Sequence, residues 1–321
     1  MTYIVQPQID CSTAQEFLDY LSPIGNYFKK EKFDNSWLFR GQGQDYPLVP
    51  SLFRHFHNKK NENVGKKLKS LTRRDIGNYS ELLKVERDIL IAFFDVADKR
   101  GLILPDDSQE LRSFFERMKD DTAVERGLDG WRIESQGLSI MAMAQHYGIP
   151  TRLLDWSLSS YIAAYFAAED ACGQNKDRKS YPSKANFVVW AFRFPTFNKQ
   201  VRYTPSSYYI RGVTAPGATN PNLKAQKGVF TLVERLYTKE ADGEYLPLDK
   251  LLELTAKKQL KQGKKNYLLG YKLQKFTLPV SESKSLLYLL AKLDITPSAV
   301  YPGYKSILND LQMQNEWDAI K

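Results

Sequence analysis

Cysteine and histidine are both scarce: two and three residues respectively in a chain of 321. Cys11 and Cys172 are too few for a disulfide framework and lack the spacing of a zinc site. His55 and His57 stand two apart and would share a face of an extended segment, but no third ligand accompanies them, so no metal site is expected. No apolar run approaches the roughly 20 residues that span a bilayer, so no membrane segment is expected. The opening MTYIVQPQIDCSTAQEF has no basic stretch followed by an apolar one and does not read as a secretory signal. Also missing are a GxGxxG turn with its following acid, a GxxxxGK[ST] loop and a GxSxG elbow, which disfavours a doubly wound nucleotide fold. These absences leave the expectation of a cytoplasmic protein with reduced thiols.

What is present suffices for a large core: 42% of residues are hydrophobic and 26% charged, without low-complexity tracts or short repeats. The net charge of +9 is concentrated. Residues 54–74 carry eight Lys or Arg against one acid, and residues 255–275 carry seven Lys and no acid. Such segments either attract nucleic acid or another polyanion by counterion release, or form solvated loops that keep the chain soluble. Regularly interleaved aromatics, which a stacking platform needs, are missing from both.

Apolar spacing predicts helices over residues 13–29, 80–97, 108–118, 131–147, 281–292 and 297–312. Strands are expected at 36–40, 186–194, 228–233 and 267–278, giving an α+β class and not a repeating βαβ pattern. Between the helices ending near Gly148 and starting near Ser159 lies a polar cluster: Gln145, His146, Thr151, Arg152, Asp155, Trp156 and Ser157. It reads as a loop between rigid elements, where binding groups concentrate. Arg152 and Asp155 there need each other or a ligand.

Three segments carry candidate chemistry. In WLFRGQGQ, Arg40 ends a strand, and Gly41 lets a ligand or another backbone approach closely. Arg40 either binds phosphate bidentately or braces its own loop against a carboxylate such as Glu86 or Asp155. In the central cluster, His146 is either a general base or a residue satisfying helix-terminal carbonyls. Trp156 is either core or a stacking surface, and Ser157 has no nucleophile signature. In NPNLKAQKGVFTLVER, Gln226 is expected to face a cleft at the start of a strand, and Glu234 to lie at the surface. RYTPSSYYIR, residues 202–211, reads either as the lining of a site for a planar ring or as a surface loop.

These segments in this order resemble the FRG domain family, named for Phe39, Arg40 and Gly41. The resemblance runs through FRGQ, Glu86, AQHYGIPTRLLDWS with YIAAYFA, AQKGVFT and ITPSAVYPGYKSILNDL. It implies a single domain over 1–321, with an N-terminal helix (1–30), a core (31–240) holding a helical insertion (78–147), and a C-terminal strand and helices (241–321). FRG domains occur among candidate bacterial toxins and phage-defence proteins. A second resemblance, to ADP-ribosyltransferases of the Arg-Ser-Glu type, implies a split-sheet core and NAD as substrate. On that resemblance the catalytic set is Arg40, Ser157 and the Gln226 position, with Asp155 or Glu86 supplying the charge that Gln226 lacks. Gly41, Gln42, His146, Tyr147, Thr151, Arg152 and Trp156 join Arg40 in binding NAD. The alternative is a non-catalytic module that binds a nucleotide, nucleic acid or phage component, with segments 54–74 and 255–275 as its basic contacts.

Overall fold

The computed structural model describes residues 4–28, 37–54, 62–73, 76–120, 133, 135–173, 185–195, 197, 201–203, 208–217, 220–235, 245–262 and 270–318. Its strands are β1 (Ile9–Asp10), β2 (Trp37–Gln42), β3 (Leu153–Ser157), β4 (Asn186–Arg193), β5 (Val201–Tyr203), β6 (Tyr208–Val213), β7 (Gly228–Arg235) and β8 (Lys272–Pro279). They form one mixed sheet in the order β1-β8-β4-β2-β3-β7-β6-β5, antiparallel throughout except for the β1–β8 pair. The helices are α1 (Ala14–Leu21), α2 (Glu62–Thr72), α3 (Tyr79–Lys99), α4 (Gln109–Met118), α5 (Leu138–His146) and α6 (Ser160–Ala171). They continue as α7 (Pro221–Ala225), α8 (Leu248–Gln262), α9 (Ser283–Ala291), α10 (Pro297–Val300) and α11 (Tyr304–Asp318). The class is α+β.

Local sequence explains most boundaries. Thr13, Asn78, Ser108 and Ser159 each accept a backbone N–H from the first turn of α1, α3, α4 and α6. Gly148, at a φ of +84°, adopts the left-handed conformation just beyond α5. Four expectations need correction. Helix α1 stops at Leu21, before Pro23. The expected helix over 297–312 is two helices, broken at Pro302-Gly303. The central polar cluster is not all loop, because Leu153–Ser157 is a strand. Finally, the basic segments fold in part as α2 and as the end of α8.

Helices cover one face of the sheet in two groups that meet between β2 and β3. Over β8, β4 and β2, helices α1, α6 and α9 bury Phe39, Val189, Ala191 and Phe276. Over β3, β7 and β6, helices α3, α4 and α5 bury Leu153, Phe230, Leu232 and Val213. On the opposite face, Leu38, Trp156, Val188, Trp190 and Val229 pack against Leu248, Leu251 and Leu252 of α8. Alanines 163, 164, 167, 168 and 171 let α6 lie close to the sheet. Gly41 is required there: a Cβ at this position would sit 1.8 Å from the Ala163 carbonyl oxygen.

Strands β2 and β3 pair only at Phe39 and Ser157, whereas β2 pairs with β4 along six positions. The sheet is therefore weakest in backbone pairing where the two helical groups meet. The Arg40–Asp155 pair described below spans this seam.

Candidate functional site

Arg40 bridges the seam. Its buried side chain donates through Nη1 to the Asp155 carbonyl at 2.9 Å and to the Asp155 carboxylate at 2.5 Å. It thus joins two strands that make little backbone contact of their own. The Asp155 side chain is 57% exposed. Its enclosure works against ionisation, but the positive charges of Arg40 and Arg54 outweigh this and hold its pKa below the ordinary carboxylate value. Gln145, near the end of α5, donates to the other Asp155 oxygen at 3.2 Å and accepts from the Thr151 hydroxyl. Thr151 is in turn pinned to Ser51 through its own backbone N–H and carbonyl. Asp155 is thus an ionised, solvent-facing carboxylate held in place from both sides.

The second buried ion pair runs elsewhere. Arg152 pairs with Glu86 of α3, whose carboxylate accepts from Arg152 Nε at 2.6 Å and from its backbone N–H at 2.8 Å. Glu86 is fully buried. Burial pushes its pKa up against the pull of Arg152, and nearby Glu234 pushes the same way. Arg152 and Asp155, three residues apart, therefore belong to separate pairs. Glu234, expected at the surface, is 3% exposed and lies 3.9 Å from Arg211.

The remaining candidates divide by access. His146 and Tyr147 are exposed at the end of α5, their rings edge to face, with His146 Nε2 3.5 Å from Asn222. Lys67 of α2 reaches the same rim, its ammonium 3.0 Å from where a Gly148 Cβ would stand. Trp156 is core, its indole donating to Thr231 while its ring packs near Phe192. The Ser157 hydroxyl is fully engaged, donating to the Gln226 carbonyl at 2.8 Å and accepting from the Ser159 N–H. Gln226 turns its amide toward the Val300 carbonyl at 3.3 Å. Gln42 is buried one position beyond Gly41.

Residues 35–176 match the family model of the FRG domain. The chain carries an FRG domain. No curated protein and no solved structure matches the chain. The domain contains Arg40, Glu86, Gln145, Thr151, Arg152, Asp155 and Ser157, so both ion pairs lie within it. Gln226, Trp190 and Val300 lie beyond the matched residues.

Within the FRG domain, Gln145 and Thr151 of the sequence cluster join Asp155, while Arg152, Trp156, Ser157 and His146 have other partners, and three assigned roles change. Gly41 packs a helix backbone and has no room for a ligand on that face. Trp156 presents no stacking surface, and Glu86 faces Arg152 within the core. Segment 202–211, read as a loop or site lining, contributes β5 and β6 at the sheet edge, with residues 204–207 outside the described residues. His55 and His57 are also outside them. No group of three or more His, Cys, Asp or Glu is placed to hold a metal ion among the described residues. Nor does any described helix have the length and apolar character needed to cross a membrane.

Sequence reading left three contributors without a role: Gln145, Arg54 and Trp190. Gln145 stands in the quoted AQHYGIP string, so its position was visible although its contact with Asp155 was not.

Proposed function

We propose that this FRG-domain protein binds NAD and cleaves its nicotinamide–ribose bond, as a glycohydrolase or ADP-ribosyltransferase. One observation carries the reading: an ionised carboxylate, Asp155, faces solvent on the strand next to the FRG arginine, which anchors it. The bond breaks with its electron pair moving to the nicotinamide ring nitrogen, which leaves positive charge spread over the ribose C1′ and ring oxygen. A fixed carboxylate in a partly enclosed site stabilises that charge more in the transition state than in the ground state. Water, losing a proton, or an acceptor nucleophile then completes the exchange.

Three further features support this reading. Strands β2, β3 and β7, which carry Arg40, Ser157 and the residues after Gln226, lie side by side as an ADP-ribosyltransferase-like core would need. Asp155 supplies the charge that Gln226 lacks, since Gln226 turns toward Val300 and Glu86 is buried against Arg152. Arg40 Nη1 is committed to Asp155, so the diphosphate falls to Arg54 and to Lys67 on the rim, with His146 and Tyr147 flanking the ribose. Acceptor nucleic acid or protein would approach along basic helix α2. The role that goes with this chemistry is that of a toxin or phage-defence effector. Incubating the purified chain with NAD and following nicotinamide release tests the proposal, and NAD left intact overturns it.

A further inference from the structure

On the face of the sheet opposite the two helical groups, three polar atoms on neighbouring residues are buried without a hydrogen-bond partner among the described residues. They are Arg40 Nε, Gln42 Oε1 and Trp190 Nε1. Arg40 and Trp190 are direct cross-strand partners in β2 and β4, so their side chains leave the same face as near neighbours. Gln42 follows Arg40 by two positions on that face. An unsatisfied buried donor or acceptor is costly, and three in one place are rarely left so in a folded protein.

The charges around the trio are already balanced. Arg40 is matched by Asp155, and Lys275, the cross-strand partner of Trp190, lies 5.4 Å from the Trp190 ring and is paired with Asp45 at 2.8 Å. What remains is neutral: two N–H donors and one carbonyl acceptor. A primary carboxamide meets this demand, because its oxygen accepts two hydrogen bonds while its NH2 donates one. A carboxylate in the same place would set an anionic oxygen against Gln42 Oε1.

We infer that Arg40 Nε, Trp190 Nε1 and Gln42 Oε1 form a subsite for the carboxamide of nicotinamide. The inference rests on the NAD reading and gives it a geometry. A single guanidinium would hold the amide through Nε and the catalytic Asp155 through Nη1, setting the leaving group beside the carboxylate that stabilises the ribose. Lys275, held by Asp45, places its ammonium 5.4 Å from the Trp190 ring of this subsite.

The test uses the full chain with nicotinamide and nicotinic acid as probes. Calorimetry gives affinity, and the indole N–H resonance of Trp190 reports contact in the wild-type protein. Nicotinamide is expected to bind and shift that resonance, and nicotinic acid to bind roughly tenfold or more weakly, as an unpaired buried polar group implies. Trp190→Phe and Gln42→Leu, each checked for an intact melting transition, should each weaken nicotinamide about tenfold and raise KM for NAD. Nicotinamide that binds both folded variants as it binds wild type overturns the inference. So does an unmoved Trp190 resonance, since the three atoms then serve only a buried water. Should NAD be consumed while nicotinamide ignores both variants, the subsite falls and the cleavage reading stands. Should nicotinamide binding depend on Trp190 and Gln42 while NAD stays intact, the reverse holds.

Discussion

One nitrogen of Arg40, Nη1, donates to both the carbonyl and the carboxylate of Asp155 across a seam where β2 and β3 pair at a single position. Replacing Arg40 with Lys keeps the charge but loses the rigid guanidinium plane that fixes Nη1 on both oxygens while leaving Nε, a separate donor, directed elsewhere. Arg40→Lys is expected to lower NAD turnover by about a hundredfold, in the range seen when a preorganised electrostatic contact is lost. Initial rates on protein of unchanged circular dichroism measure this. Turnover within a few-fold of wild type would show that the bridge does not organise Asp155.

Glu86 and Arg152 make a structural claim instead. Removing one partner of a buried pair strands the other charge, at a cost of about 3–5 kcal/mol. Glu86→Ala should therefore lose most of its stability in urea denaturation, with its remaining folded fraction still turning over NAD. A stable but inactive Glu86→Ala would place Glu86 in the chemistry.

Gly41 stands between the sheet and α6. Gly41→Ala would drive a methyl into the Ala163 carbonyl, and overpacking against backbone should cost about 3 kcal/mol or more. Thermal melting reads it directly. A normal melting temperature with weakened NAD binding would return Gly41 to the ligand.

Glu169 gives a pH signature. It accepts hydrogen bonds from Tyr165 at 3.1 Å and Tyr301 at 2.8 Å, yet burial pushes its pKa above the ordinary 4.5. A carboxyl raised on folding favours the native state below its unfolded pKa and loses that contribution as pH rises through its folded value. Glu169→Gln, which cannot ionise, should therefore gain stability relative to wild type between pH 4.5 and neutrality, with the gap closing below pH 4.5. Denaturation midpoints across that range decide it, and a constant gap would contradict the assignment.

The motif-bearing parts of the fold were legible because their signals are local. The helix starts at 13, 108 and near Ser159, the helix over α3 and the FRG and central strings all announce themselves within a few residues. The pairing of charges was not legible. Arg152 and Asp155 are three apart, and only the fold shows that Glu86, 66 residues away, takes the arginine while Arg40, 115 residues away, takes the aspartate. Charge also hid two helices. In α8, Leu248, Leu251, Leu252 and Thr255 hold helical spacing, but the lysines that follow drew the segment into a basic loop. Trp190 was visible only as part of an apolar strand, because nothing in its neighbours announces an indole without a partner among the described residues.

The central claim is that Asp155 stabilises the breaking nicotinamide–ribose bond. Its most direct test is nicotinamide release from NAD by the wild-type protein and by Asp155→Asn, assayed side by side after both are shown to be folded. The account predicts release by the wild type and a loss of about a hundredfold or more in the variant. Absence of release by the wild type, or equal release by folded Asp155→Asn, would contradict it.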